Sequence, residues 1–575
     1  MNIYFQVFRF VKIYQPYSVY FLIAIFLLTS ILEAIGISFV MPVIALVLEE
    51  DFMQILKGSD FGNYVPNIIF SLDRDTALLM FSIFVILIYL IKNIILILAE
   101  YLKSIFINQI NEKLSSKMMN KYIHQNYLYH SKKNISEINS TINQKISDLT
   151  DGMITATLSI FAEALLLIVL FLLIIFFQQT NTFLILLVLF SFGIVTGKFI
   201  TVFIKKIGKQ RQKNINIKFS NFTNIINNFR EIILTGKIGL YLENFKKSLK
   251  IIAKMDALRA SLQRTPQLTF ETIGIIGLVT IIYYLLNNNA SSIKIISTCT
   301  FFAAVSYRAI PSLNKILFFH YNVKYSTPIF NEIVNELEIE NEILFHNEKF
   351  DIKKGLYLKN VSFKYDDKNE KILDNIFLEI KKNSSIGLYG KSGSGKTTLL
   401  DIISGLLTAT EGSVYLDDRE INNDFLRRKL QNNISYTSQK TTVINDTLEK
   451  NICFGIEKKD INLEKYKSVI KTAHLEELDI DFNNNLKTML DSGKNISGGQ
   501  LQRIGIARAL YQNKDILIFD EATNALDEEL EKKIINELNE LKTNKTLIFV
   551  SHNKELLQRF DFIYEIKDKN IFNIK

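Results

Sequence analysis

Apolar runs crowd the first part of the chain, and the alternation of a soluble α/β domain replaces them after about Phe350. Six apolar segments can be read: about Tyr17 to Leu48, Ala77 to Leu98, Ile154 to Phe177, Phe183 to Phe203, Leu268 to Leu286 and Ile293 to Phe319. Each approaches or exceeds the roughly 20 residues that a helix needs to cross a bilayer. The first is too long for a secretory signal, and five more follow it. The polar stretches from Lys103 to Lys145 and from Lys198 to Arg264 keep helical spacing, so the spans are expected to continue as helices beyond the membrane. Short turns near Tyr129–Ser136 and Gly236–Tyr241 interrupt these extensions and are candidates to dock on the C-terminal domain.

Charge orients this pattern. Those two polar stretches are rich in Lys and Arg, whereas the links Gln178-Gln179-Thr180-Asn181 and Asn287-Asn288-Asn289 carry none. The positive-inside rule then puts both termini and both stretches in the cytoplasm. It also accounts for the net charge of +9 without a nucleic-acid partner. At 575 residues, 48% hydrophobic and with a mean hydropathy of +0.16, the chain is a membrane protein of at least two domains. Its two cysteines, Cys299 and Cys453, lie too far apart in sequence to argue for a disulfide framework or a zinc site. The link from Glu49 to Asp75 is the only long one on the outer side, and it reads equally as an ordinary loop or as an amphipathic helix on the membrane surface.

Charges inside or at the edges of the spans are Glu33, Lys92, Glu163, Glu271 and Arg308, with Arg259 and Arg264 just before the fifth span. Such groups are costly in a bilayer and usually face a cavity or a partner. Arg308 comes about 15 residues into the sixth span, roughly 22 Å along the helix and past the midplane. Two readings stand for it. With Arg264 it forms a basic patch for an anionic head group, or it snorkels or pairs with Glu271 or Glu33.

The C-terminal half carries the chemistry. Gly390-Lys391-Ser392-Gly393-Ser394-Gly395-Lys396-Thr397 fits G-x-x-x-x-G-K-[ST], after an apolar strand (Ser385 to Tyr389) and before a helical pattern opening at Thr398. Its backbone N–H groups suit phosphates, Lys396 suits the outer phosphates, and Thr397 suits Mg²⁺. Tyr365 ends a strand and offers a face to a purine ring. Gln439 ends another strand, placed for Mg²⁺ or an attacking water. Ser497-Gly498-Gly499-Gln500 is a second glycine-rich turn before a helix, suited to a further phosphate contact. Asp515 to Glu521 reads as a buried strand ending in two carboxylates, Asp520 for Mg²⁺ and Glu521 for water. His552 stands at the carboxyl end of a further strand, where ligands of α/β sheets bind.

Taken together, these motifs closely resemble the ATP-binding cassette family, and six spans before one cassette resemble its exporter half-transporters. The resemblance implies a membrane α-helical domain with cytoplasmic extensions over residues 1–335, a linker at 336–349 and an α/β nucleotide-binding domain over 350–575. By the same likeness ATP and Mg²⁺ are the cofactors. Tyr365 stacks on adenine, Gly390 to Thr398 form the Walker A loop, and Gln439 is the Q-loop glutamine. Ser497 to Gln500 form the signature and Asp520 is the Walker B aspartate. Glu521 is the catalytic base, Asp527 lies in the D-loop, and His552 is the switch histidine. Thr397, Gln439 and Asp520 hold the metal. A second copy of the chain is expected, because each ATP in this family sits between one protomer's phosphate loop and the other's signature. Ile496, Asn524-Ala525-Leu526-Asp527 and Asp491-Ser492-Gly493 depart mildly from the family pattern, with the catalytic positions intact.

Glu33-Ala34-Ile35-Gly36, followed by Val40-Met41-Pro42, and Tyr307 to Asn314 look like segments of bacterial lipid-linked oligosaccharide flippases. That likeness implies a polyprenyl-diphosphate oligosaccharide moved from the inner to the outer leaflet of the bacterial inner membrane. Arg264 and Arg308 would meet the pyrophosphate, and the outer link would meet the lipid. A peptide or drug exporter, a lipid A-type flippase and a non-transporting ATPase are the other readings.

Overall fold

The computed structural model describes residues 3–48, 74–176, 180–289, 292–339, 348–365, 370–478, 489–490 and 496–575. Residues 49–73 of the outer link and Asp491 to Asn495 lie outside these residues, as do the side chains of Val40, Met41 and Pro42. Two compact units divide the chain, one of residues 1–123 and 133–340, the other of 124–132 and 341–575.

In the first unit, each apolar run read from the sequence falls on a helix, and every one of these helices but the first extends well beyond its run; Phe177 lies outside the described residues. A short helix, Ile3–Tyr14, comes first, followed by Pro16–Leu48 and Arg74–Ile123. The remaining long helices are Ile135–Phe176, Thr180–Asn227, Ile238–Asn287 and Ser292–Glu338. The polar stretches expected to extend the spans are therefore largely helical. Among the described residues, five of these helices are long and apolar enough to cross a membrane. The sixth, Ser292–Glu338, is more polar: it carries Ser306, Arg308, Ser312, Asn314 and Lys315, and two internal prolines.

Packing inside the unit combines branched aliphatics with close glycine approaches. Leu166, Leu170, Ile174, Phe270, Phe301 and Val305 form one buried cluster. A Cβ on Gly277 would fall 2.7 Å from Ile185, and one on Gly274 would fall 2.9 Å from Ile310, so the fifth span meets its neighbours through small residues. Other aliphatics point away from the core, with Ile94 and Ile97 67% and 72% exposed. An apolar face turned outward is what lipid requires. The helix Ile135–Phe176 contains two π-helical turns ahead of its apolar run, Thr141–Lys145 and Thr150–Ile154, which the sequence pattern does not announce.

The second unit is built on strands β1 (Gly355–Phe363), β2 (Leu373–Lys381), β3 (Ser385–Tyr389), β4 (Glu411–Leu416), β5 (Arg419–Glu420) and β6 (Ile434–Thr437). They are followed by β7 (Asp446–Thr447), β8 (Met489–Leu490), β9 (Ile516–Asp520), β10 (Thr546–Val550), β11 (Phe562–Lys567) and β12 (Asn570–Asn573). An antiparallel sheet runs β2-β1-β4-β5, β7 pairs with β8, and the main sheet runs β12-β11-β3-β10-β9-β6. In the main sheet every pair is parallel except β11 with β12. β9 and β10 are buried along their whole length, as strands covered on both faces must be, which explains their unbroken apolar sequences. Because β3, β6, β9 and β10 run in one direction, their carboxyl ends gather at a single edge. The phosphate loop, Gln439, Glu521 and His552 all follow those ends.

The helix Tyr127–Lys132 follows the long helix Arg74–Ile123 of the first unit along the chain, yet it belongs to this second unit. Its Leu128 packs against the same buried cluster as Tyr365 and Tyr436.

Candidate functional site

The phosphate loop is shaped by glycine. Gly393 and Gly395 have φ of +81° and +100°, a region that L side chains avoid. The loop delivers Lys396 to the first turn of the helix Lys396–Ile403, 6% exposed. Its Nζ donates to the carbonyls of Gly390 at 2.8 Å and Lys391 at 3.1 Å. Burial pushes this ammonium below its usual pKa, against the pull of Glu521 and Asp520.

Beside it, Asp520 ends β9 with its carboxylate buried. One oxygen, Oδ2, accepts from the hydroxyls of Thr397 and Tyr436, each at 3.1 Å. Burial raises the Asp520 pKa while both hydroxyls oppose the rise. A threonine hydroxyl touching a buried carboxylate at the mouth of a phosphate loop is a hard-oxygen donor set, and it fits Mg²⁺.

Glu521 follows in the left-handed region at φ +51°, uncommon for a residue other than glycine. This turn places a carboxylate 6% exposed among four side chains. Gln439 Nε2 donates to Oε2 at 2.7 Å, and Asn524 Nδ2 donates to the same oxygen at 3.0 Å. His552 Nε2 lies 2.6 Å from Oε1, and Lys396 Nζ lies 3.6 Å from it. Three predicted residues, Gln439, Glu521 and His552, thus meet at one carboxylate with Lys396. Asn524 was missed as a contact, although its place three residues after Glu521 signals it. Gln502 was missed as well: it donates to the Glu521 carbonyl at 3.3 Å and accepts from the Ala525 N–H at 2.8 Å.

Other predicted residues are not brought to the loop by this single chain. Ser497 caps the helix Gly498–Gln512 in a reciprocal capping box with Gln500. Gly499 packs under Ala525 and Leu526, and Gln500 also reaches Glu477 at 3.2 Å. Asp527 caps the helix Glu528–Glu540 through the Leu530 N–H at 2.9 Å. Tyr365 is half-buried, edge-on to Phe363 with ring centres 4.9 Å apart.

In the membrane half, Glu33 and Lys92 are 8% and 7% exposed and lie 3.3 Å apart. Arg308 Nε reaches the other Glu33 oxygen at 3.2 Å. The Lys92 ammonium also sits 4.2 Å from the centre of the Tyr89 ring. Of the two carboxylates considered for Arg308, the structure selects Glu33; Glu271 accepts from Gln267 at 3.0 Å instead. Arg308 lines a cavity of about 380 Å³ bounded by four helices, together with Glu33, Glu163, Lys315, Glu100 and Lys103. Arg264 is exposed and does not line it. The two arginines are therefore not joined in a common patch by the geometry of one chain.

Comparison with known proteins fits both halves. Residues 23–309 match the family described as ABC transporter transmembrane region, and residues 373–524 match the family described as ABC transporter. A lipid A-core flippase of Pseudoalteromonas translucida (strain TAC 125) is 39% identical over 220 residues, 38% of each chain. The multidrug resistance-like ATP-binding protein MdlB of Buchnera aphidicola subsp. Schizaphis graminum (strain Sg) is 36% identical over 235 residues, 40% of this chain and 39% of the relative. A lipid A-core flippase of Francisella tularensis subsp. holarctica (strain OSU18) is 28% identical over 400 residues, 65% of this chain and 63% of its own. The alignment with each of these relatives covers less than two thirds of its length. A solved bacterial Atm1-family ABC exporter with ATP bound superimposes with a TM-score of 0.76 at 15% identity, covering 96% of this chain and 94% of that one. With both halves matched and an exporter fold throughout, the chain belongs to the ABC transporters, in the arrangement of a helical membrane domain followed by a nucleotide-binding domain.

Proposed function

We propose that the chain works as a homodimer in the bacterial inner membrane, with both termini cytoplasmic. There it hydrolyses ATP to flip a phosphorylated glycolipid from the inner to the outer leaflet, with a polyprenyl-diphosphate oligosaccharide as the substrate. The cavity carries this reading. Its charges are matched in three pairs, Glu33–Arg308 at 3.2 Å, Glu163–Lys315 at 2.9 Å and Glu100–Lys103 at 2.6 Å. A guanidinium and two ammonium groups suit phosphate, and the carboxylates released from them suit sugar hydroxyls. Ser159 Oγ and Glu163 Oε2 are buried there without a hydrogen-bond partner, so acceptors for such hydroxyls stand ready. Phe26, Leu96, Leu166 and Phe319 supply the apolar wall that a lipid needs. A lipid A-type glycolipid is the second reading; the names of two of the relatives favour it.

The nucleotide chemistry follows from the residues at the sheet edge. Backbone N–H groups of Gly390 to Thr398 cradle the phosphates, Lys396 neutralises the outer ones, and Tyr365 stacks on the base. Thr397, Asp520 and Gln439 would hold Mg²⁺, which neutralises charge developing on the transferred phosphoryl group. Glu521 takes the proton from the attacking water. His552 and Gln439, already bonded to its carboxylate, orient it. Ser497 to Gln500 and Asp527 would serve the ATP held by the second copy, which accounts for their contacts staying away from their own chain's loop.

The experiment is ATP-dependent flipping of a fluorescent lipid-linked oligosaccharide in proteoliposomes. Wild type is compared with Arg308→Ala and Glu521→Gln. Glu521→Gln should bind ATP and lose at least about 100-fold in turnover, in keeping with removal of a general base. Arg308→Ala should keep ATPase and lose flipping. An ATPase-active wild type that flips no oligosaccharide but moves a lipid A precursor would shift the substrate to the second reading.

A further inference from the structure

Tyr436 reads from the sequence only as part of the strand that leads to Gln439, yet it touches the buried carboxylate at the end of β9. It sits on β6, three residues before Gln439, on the strand paired in parallel with β9. Its hydroxyl donates to Asp520 Oδ2 at 3.1 Å, the oxygen that also receives Thr397. The two donors differ in what else they are asked to do. Thr397 belongs to the phosphate loop, and its hydroxyl is needed by the metal. Tyr436 is anchored outside the loop: its ring packs against the buried cluster that holds Leu388 and Ile518. A carboxylate turns about χ2 in a broad, nearly two-fold potential, so one fixed donor decides which way its plane faces.

We propose that Tyr436 is a positioning residue that fixes the plane of the Asp520 carboxylate for Mg²⁺ binding, independently of Thr397. The proposal rests on the reading of Asp520 as a metal ligand, and the test separates the two. Hydrogen bonds of this outer kind to a ligating carboxylate typically carry roughly 10- to 100-fold in metal affinity. The full-length protein is titrated with Mn²⁺ in the presence of ATP and followed by electron paramagnetic resonance. Wild type is compared with Tyr436→Phe and Asp520→Asn, and ATP affinity in EDTA is measured on each. Tyr436→Phe should weaken Mn²⁺ about 10-fold and leave ATP affinity in EDTA within about two-fold of wild type. Unchanged Mn²⁺ affinity in Tyr436→Phe, beside a large loss in Asp520→Asn, would overturn the positioning role alone. Equal losses with and without metal would reduce Tyr436 to a packing residue. Undiminished Mn²⁺ affinity in Asp520→Asn would remove the metal-ligand reading and this proposal with it.

Discussion

Replacing Glu33 by glutamine tests whether the membrane-embedded charges act as one unit. Glu33 faces two cations at once, Lys92 at 3.3 Å and Arg308 at 3.2 Å. The side chains of Glu33 and Lys92 are each only 9% exposed, so solvent screens their attraction little. The substitution Glu33→Gln would keep the shape and remove the charge, leaving two cations to share a neutral amide. Breaking a buried pair from one side costs roughly 3–5 kcal/mol. Glutamine retains part of the hydrogen bonding and Arg308 is partly accessible, so about 2–3 kcal/mol is expected here. Lys92→Met alone should cost a similar amount, because it strips a neighbour from Glu33. The double variant removes both charges together, and its cost should fall short of the sum by at least about 1 kcal/mol. The assay is unfolding of the purified protein in mild detergent against a denaturing detergent, followed by circular dichroism. Single costs that add within about 0.5 kcal/mol would refute the coupling, and a Glu33→Gln protein as stable as wild type would refute the pairing itself.

Two further outcomes concern the nucleotide domain. Asp401 has its pKa raised to about 6, first by burial and then by the nearby Asp520 charge. A folded pKa above the unfolded one means that the folded state holds the proton longer, so this group's contribution to stability falls as pH rises from about 4 to about 6. Asp401→Asn should flatten that slope and raise stability at about pH 7.5 by up to ~3 kcal/mol; an unchanged pH profile of unfolding would count against it. Asn433 is fully buried and clamps the start of the domain, accepting from Phe350 N at 2.8 Å and donating to Phe350 O at 2.7 Å and Asp515 Oδ2 at 2.8 Å. Asn433→Ala strands these groups and should cost roughly 2–4 kcal/mol in denaturant unfolding, against less than about 1 kcal/mol for the exposed Asn422→Ala.

Chemistry confined to a short stretch of chain was legible in the sequence. The phosphate loop, the paired acids at the end of β9 and the histidine after β10 each follow an apolar strand, and a parallel sheet collects such strand ends at one edge. Contacts between distant segments were not. Nothing in the spacing of Glu33, Lys92 and Arg308 says that three helices bring them together, so Arg264 looked as good a companion for Arg308 as Glu33 did. Tyr436 reads as an ordinary strand residue until β6 is set beside β9. The π-helical turns at Thr141–Lys145 and Thr150–Ile154 insert extra residues into a run whose composition is uniformly helical. The sixth apolar run, Ile293 to Phe319, does lie in a long helix, but among the described residues that helix is too polar to count as a span by composition, and part of its polar content lines the cavity.

The helix Tyr127–Lys132 must wait during synthesis for the core it packs against. Leu128 packs into a core whose first strand-forming residues follow Ile352, and 224 positions separate the two. At about 5–20 residues per second, a ribosome needs roughly 10–45 s to bridge that interval, and longer to complete β10 and β11. Throughout this time Leu128 hangs from a membrane segment already made, with its binding surface not yet translated. The nascent chain must therefore carry Leu128 uncovered for that interval, and a fragment beginning near Phe350 would fold with that surface bare.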